Sequence, residues 1–311
     1  GKLTSTPPRP WPEKRIDPEP GEQKTLPAGL FLLAEAPGLC YTEKKCLHGG
    51  TAMSLIQIAF FDIDGTLVDI DTKRPSPHAV ETLRRLREKG VRVCLATGRA
   101  PMEVPKFEGA YFDSYLTYNG SYCCTADGTP LFRDPLPTGD VHTLIRNAAA
   151  LGRPVSLATK DRMASNGKDQ DLIDYYAIAG KEVVVCDDFD AVAEQDVYQV
   201  MMGCREADYP AILKDTVNTK IAAWWDRAAD IIPASAGKGA AIRHLLARYG
   251  LTKEQAIAFG DGRNDIEMLE AVGTGVAMGN AREDVKAHAN AVCGSVAEDG
   301  IYHYCLEHGL I

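Results

Sequence analysis

An α/β fold with an open parallel sheet, interrupted by a smaller α+β insertion, follows from three features of the sequence. Continuous apolar runs of strand length end on small polar turns. Amphipathic helical stretches lie between those runs. The strand-and-helix alternation stops at Arg99 and resumes at Lys238.

The first buried strand is IQIAFF (56–61), which runs into the acidic turn DIDGT. Ser76 and Pro77 then supply an N-cap and a first-turn proline, Val80, Leu83 and Leu86 share one helical face, and Gly90 stops the helix. VRVCLAT (91–97) is the second strand, and strand, helix and strand with short joints make a βαβ unit with parallel strands. The same order returns near the C-terminus. A helix over 238–249 is stopped by Gly250, and it is followed by the strand AIAFG, the helix NDIEMLEAV, the strand GVAM and the helix AREDVKAHA. Between these halves, YLTYNGSYC, an Asp127-Gly128 turn and TPLFRD predict a hairpin. Helical TLIRNAAAL then alternates with strand-like PVSLA, KEVVVC, VYQVMMGC and TKIAAWW. The expected division is a core of 53–136 and 232–311 with an inserted domain of 137–231.

Residues 1–52 have another character. They hold eight of the 18 prolines and show neither helical nor strand periodicity, so they are expected to be a disordered leader or non-native upstream sequence, with Met53 as a candidate start. The apolar run Leu26–Leu39 lies behind a long polar segment, contains Glu35 and Pro37, and does not read as a signal peptide.

A chain of 311 residues with 45% hydrophobic and 25% charged residues can bury a sizeable core, which excludes a disulfide-stapled miniature scaffold. Its net charge of −9 has the wrong sign for general affinity to nucleic acid or an anionic membrane. An anionic substrate would need positive charge supplied locally. The nine cysteines are an odd count without CxxC modules, and they predict reduced thiols in a cytoplasmic protein, with Cys94, Cys186 and Cys204 as small buried hydrophobes.

Four short motifs carry the chemistry. Asp62 and Asp64 leave a buried strand two positions apart, so in extended geometry they point the same way; one carboxylate could attack phosphorus while the other protonates the leaving oxygen. An acidic β-turn is the alternative for this segment taken alone. Asp261 and Asp265 in GDGRND follow another strand end. Beside the first pair they would repel without a cation among them, and hard oxygen ligands suit Mg²⁺, although an Asx turn capping the next helix also fits. Thr97, with Gly98 behind it, can hold a phosphoryl oxygen at a strand end, and Lys238 opens a helix between two glycines, where ammonium and helix N-terminus could face one anion.

The joint order of these motifs resembles the haloacid dehalogenase-like superfamily of phosphatases and phosphomutases: DIDGT (62–66), Thr97 in LATGR, Lys238, and GDGRND (260–265). The resemblance covers nearly all of 53–311 and implies a Rossmann-like core. There is room for one crossover helix between Asp62 and Thr97, so the insertion after Thr97 would be a cap of the second class. YNG (118–120), ADIIP and MGNA (278–281) are similar to the Cof-like subfamily IIB, whose members mostly hydrolyse sugar phosphates and other small phosphometabolites.

The resemblance implies Asp62 as nucleophile and Asp64 as general acid and base. Mg²⁺ would be held by Asp62, the backbone carbonyl of Asp64 and Asp261, with Asp265 either a direct ligand or one step behind. Thr97, Gly98, Lys238 and Asn264 would bind the phosphoryl group, with Arg99 and Asn119 at the rim and Asn264 able to orient Lys238. Arg162, Lys168, Trp224 and Trp225 are candidates to face substrate from the insertion. The expected partner is a small phosphorylated metabolite, with no nucleic acid or membrane, and the expected state is monomer or homodimer. A phosphomutase or a non-catalytic phosphosugar-binding protein are the competing functions.

Overall fold

The computed structural model describes residues 56–311, and the expectations for 1–52 and for Met53 as a start fall outside them. In chain order the first segment forms β1 (Ile58–Phe61), α1 (Pro77–Glu88), β2 (Arg92–Ala96), β3 (Ser114–Thr117), β4 (Tyr122–Thr125) and β5 (Pro130–Arg133). Next come α2 (Thr138–Ala150), β6 (Val155–Thr159), β7 (Met163–Ser165), α3 (Gln170–Ile178), α4 (Phe189–Ala193), β8 (Val197–Gly203), α5 (Tyr209–Ile212), β9 (Thr219–Ala222) and β10 (Ala228–Pro233). The last segment is α6 (Lys238–Tyr249), β11 (Ala256–Gly260), α7 (Ile266–Ala271), β12 (Thr274–Ala277), α8 (Glu283–Lys286), β13 (Ala291–Val292) and α9 (Gly300–Glu307).

The first and last segments share an 8-stranded sheet of order β13-β12-β11-β1-β2-β3-β4-β5. Its strands are parallel from β13 to β3, and β4 and β5 add an antiparallel edge. Alternation along β1 decides the layers. Ile58 and Phe60 face α6 and α7, while Ala59 and Phe61 face α1 and α9, so helices cover both faces. Each buried Phe here contributes about 1.5–3 kcal/mol, and Phe61→Ala would cost about 3–5 kcal/mol. Helix α1 begins as its sequence dictates: Ser76 Oγ accepts from the Ala79 backbone N–H at 3.0 Å, and Pro77 fills the first turn.

The middle segment forms its own 5-stranded sheet, β7-β6-β8-β10-β9, paired antiparallel. Its α2 and α4 face encloses an apolar core around Leu144, Leu157 and Val200. On the other face Leu172, Tyr176, Tyr198 and Met201 pack against Tyr118 and Tyr122 of the first segment.

Several local expectations are corrected. YLTYNGSYC is two strands, β3 and β4, because Tyr118, Asn119 and Gly120 all take positive φ and reverse the chain between them. Gly120 also lies so close to the opening of α6 that a Cβ would stand 2.5 Å from the Gly237 carbonyl oxygen. The expected Asp127-Gly128 turn does join β4 to β5. KEVVVC is not a strand: only Val185 makes a bridge, to Ser165, and Val184 and Val185 are exposed, so alternating valines there line no core. Cys186 is accordingly half-buried, whereas Cys94 and Cys204 are buried. TKIAAWW leaves the sheet after Ala222, which puts both tryptophans in the β9–β10 connection. Residues 232 and 233, expected to reopen the core, still belong to β10 in the 5-stranded sheet.

The middle segment also carries a dense ion cluster. Asp171 on α3 accepts hydrogen bonds from Arg153, Arg205 and Arg227, and Arg153 and Arg227 reach on to Asp169 and Asp174. The Arg205 hydrogen bond leads the causes that bring the Asp171 carboxyl down to about 2. No helix among the described residues is long and apolar enough to cross a membrane.

Candidate active site

Neighbouring strands deliver the site residues. Asp62, Thr97 and Asp261 each stand one residue beyond the carboxyl ends of β1, β2 and β11, with β1 between the other two. In an open α/β sheet this is where ligands collect. Lys238 arrives from the other side as the first residue of α6.

Lys238 is 1% exposed, which is rare for an ammonium and demands close partners. Its Nζ donates to Asp62 Oδ1 at 2.6 Å and to Asp265 Oδ1 at 2.5 Å. Asp265 is fully buried and is itself fixed, since Oδ2 accepts the backbone N–H groups of Asp261 and Gly262 at 3.0 and 2.9 Å. Asp261 is oriented by the Thr66 hydroxyl, which donates to Oδ1 at 2.8 Å. Gly65 approaches the same carboxylate closely: its φ is +86°, and a Cβ there would stand 2.2 Å from Asp261 Oδ2.

One oxygen from each of Asp62, Asp261 and Asp265 lies within 4.8 Å of the others, and two of these carboxylates, Asp62 and Asp265, share the ammonium of Lys238. Burial, helped by Asp265, pushes the Asp261 carboxyl up to about 7. Burial likewise raises Asp62 well above the usual carboxylate range, with Lys238 pulling the other way and Asp265, Asp261 and Asp64 adding to the rise. Burial alone would lower the ammonium of Lys238, but Asp265 and Asp62 outweigh it and raise it. Excess buried negative charge and an all-oxygen donor set fit a hard divalent cation such as Mg²⁺. Asp62, Asp261 and Asp265 each have an oxygen placed to offer it, with Asp265 the most heavily hydrogen-bonded of the three.

The other expected residues divide. Asp64 lies apart from the three-acid cluster and forms a two-pronged pair with Arg99, Nε to Oδ2 at 2.8 Å and Nη2 to Oδ1 at 2.6 Å. Arg99 is therefore a partner of Asp64, beyond the rim position expected of it. Thr97 is buried, and its hydroxyl oxygen accepts the Arg99 backbone N–H at 3.1 Å. Asn119 is 1% exposed, so it lies behind the cavity wall and not at a rim. Asn264 donates through Nδ2 to Asn119 Oδ1 at 3.0 Å, so the expected link from Asn264 to Lys238 is replaced by one to Asn119.

These groups open into a cavity of about 390 Å³, within the range of small-molecule sites. Asp62, Asp64, Thr97, Gly98, Arg99, Asp261 and Asn264 form one end. Tyr175, Tyr176, Trp224, Trp225, Met163 and Met201, all from the inserted segment, supply an aromatic and apolar wall, with Trp224 reaching close to Gly262. Arg162 is not on the cavity; it pairs with Asp188, and Lys168 is not among the lining residues either. Asn280 was not singled out from sequence as a site residue, although its motif was, yet its Nδ2 donates to the Gly65 carbonyl oxygen at 2.9 Å and it borders the cavity. Tyr175 and Gln199 gave no signal at all, because their place depends on how the two sheets meet.

Comparison with known proteins gives the family of the chain. The chain is 32% identical over 263 residues to 5-amino-6-(5-phospho-D-ribitylamino)uracil phosphatase YitU of Bacillus subtilis (strain 168), covering 79% of this chain and 95% of that protein. It is 28% identical to the HMP-PP phosphatase of Escherichia coli O6:H1, covering 80% and 94%. The solved structure of a HAD subclass IIB sugar phosphatase superposes with a TM-score of 0.76 at 28% identity, covering 82% of this chain and all of that one. The family model for haloacid dehalogenase-like hydrolases matches residues 59–305, and the chain belongs to that family.

Proposed function

We propose that the chain releases phosphate from small phosphorylated metabolites, sugar phosphates first among them, through an aspartyl-phosphate on Asp62. The carrying observation is the buried Lys238 ammonium joined to both Asp62 and Asp265, directly behind a cavity that Asp62 lines together with aromatic side chains. Asp62 Oδ attacks phosphorus in line, the bond from phosphorus to the leaving oxygen breaks, and Asp64 gives that oxygen a proton. Water then loses a proton to Asp64 and attacks phosphorus, which breaks the phosphorus–Asp62 bond and returns both carboxyl groups to their starting forms. Lys238, the Thr97 hydroxyl and the Gly98 backbone hold the phosphoryl oxygens and offset their charge.

A bound Mg²⁺ supplies charge neutralisation at the phosphoryl oxygens, with Asp62, Asp261 and the Asp64 backbone carbonyl as its holders and Asp265 behind them. Each Asp64 oxygen accepts one guanidinium N–H and keeps a second lone pair, so Arg99 orients the carboxyl group while Asp64 exchanges its proton with the leaving oxygen and the water. We infer that the inserted sheet acts as a cap of the second class, excludes water and selects the leaving group. The aromatic wall suits the apolar face of a sugar ring or a planar heterocycle, and the relative named as a phosphatase of a uracil derivative favours including the latter.

The test is a phosphate-release screen of the full chain with Mg²⁺ over sugar phosphates, pyridoxal phosphate, flavin mononucleotide and nucleotides, with Asp62→Asn as control. Release that the control lacks supports the reading. Turnover by Asp62→Asn near the parental rate overturns the nucleophile. Binding without release would point to a phosphosugar-binding protein, and dependence on a sugar bisphosphate without release to a phosphomutase.

A further inference from the structure

One fully buried acid outside the catalytic cluster is left unused by the reaction described above. Asp230, on β10, is 1% exposed, and its hydrogen bonds come from two neutral groups: the Tyr175 hydroxyl donates to Oδ1 at 2.7 Å, and Asn119 Nδ2 donates to Oδ2 at 3.0 Å. Burying a carboxyl group without a bonded cation is costly, and an apolar residue here would avoid that cost only by stranding both donors. Each donor continues outward. Trp224 Nε1 donates to the Tyr175 hydroxyl oxygen at 3.0 Å, and Asn119 Oδ1 accepts from Asn264 at 3.0 Å. Beside this chain, Asn119 Nδ2 also reaches Gln199 Oε1 at 3.0 Å, and Gln199 Nε2 reaches the Gly98 carbonyl oxygen at 3.2 Å.

The series Trp224, Tyr175, Asp230, Asn119, Asn264 thus begins on the aromatic wall and ends beside the phosphoryl end. Its outer members line the cavity, and Asp230 and Asn119 lie behind them. It also crosses between the sheets, because Tyr175 and Asp230 belong to the inserted sheet's unit and Asn119 and Asn264 follow β3 and β11 of the other. Asn119 has little freedom to yield, since it is held at φ +52° between two positive-φ neighbours.

We propose that Asp230 is a positioning residue that ties the leaving-group wall to the phosphoryl end, so that a leaving group seated against Tyr175 and Trp224 fixes Asn264 over the transferring group. This rests on the phosphatase reading above. Such a strut makes its two ends energetically dependent, which independent contacts would not.

The experiment is a double-mutant cycle in kcat/KM of the full chain, with Tyr175→Phe and Asn264→Ala, on the phosphate ester that the wild type hydrolyses best. The expected result is a combined loss at least fivefold smaller than the product of the single losses. In an Asp230→Ala background the two losses should multiply to within about twofold. Asp230→Asn, which can still accept from Asn119 and bond Tyr175, should keep both the coupling and kcat/KM to within threefold, a rescue that general destabilisation at this position would not give. Should Asp230→Ala fail to fold, the cycle in the wild-type background still decides: losses that multiply there overturn the proposal. Coupling that survives in Asp230→Ala overturns it too. If the wild type releases phosphate from no ester, the phosphatase reading falls instead, and that failure is visible before any variant is made.

Discussion

Two clusters of charge in this chain have opposite balances. Around Lys238, three aspartates cluster with one ammonium that bonds two of them, and the carboxyl groups of Asp62 and Asp261 are pushed up. Around Asp171, three arginines converge on one carboxylate that is pulled down to about 2. The second cluster satisfies its central charge with protein groups alone. The first leaves an excess of negative charge that raised carboxyl groups or a further cation must offset, which is the mark of a site arranged for chemistry at some expense of stability. Number of ion pairs does not separate the two; the sign and burial of what is left over does.

That contrast can be broken by experiment. The largest effect is expected from Asp62→Asn, which should lower kcat for phosphate release by about a thousandfold or more while leaving the fold intact by circular dichroism. EDTA should abolish the wild-type activity and added Mg²⁺ restore it. Asp171→Asn should do the reverse of Asp62→Asn. It leaves three guanidinium groups short of a partner, so Tm should fall by roughly 3–8 °C while kcat stays within about threefold of wild type. Smaller again, and opposite in sign, is Asp261→Asn in EDTA. Relief of like-charge repulsion should raise Tm by roughly 1–3 °C, and the upward shift that Mg²⁺ gives the wild type should shrink.

The smallest effects are slopes against pH. A carboxyl held below its unfolded value near 4 stabilises the fold above that value, so the share from Asp171 should disappear as pH falls from about 4 towards 2, and Asp171→Asn should lack this loss. Asp230 carries the other sign. Burial chiefly raises it to about 7, against the hydrogen bonds from Tyr175 and Asn119 and the attraction of Lys238, with Glu103 adding to the rise. It binds its proton more tightly in the folded chain, so wild-type stability should decline relative to Asp230→Asn as pH climbs from about 4 to 7 and run parallel above that. Urea midpoints at stepped pH measure both slopes.

The catalytic cluster was legible because Asp62, Thr97 and Asp261 each follow an apolar strand, so one-dimensional order already implied a common sheet edge. Lys238 was legible for a similar reason, as a cation placed where a helix start disfavours one. What escaped depended on side-chain contacts between elements distant in sequence. The pair between Asp64 and Arg99, and the chain through Asp230 and Tyr175, join residues 35 and 55 positions apart with no periodic signal between them. KEVVVC misled for the opposite reason: it has strand composition, but too little surface covers it to make it a strand.

Gly65 sets a tolerance on all of this. Its Cα leaves no room for a methyl group beside the Asp261 carboxylate, so the loops after β1 and β11 meet without a side chain as spacer. Alanine at 65 would keep every reacting group and still disable the site by prising those loops apart. A position near the reaction with no functional group is thus closed to substitution, and an inactivating change there would report a distance, not a lost chemistry.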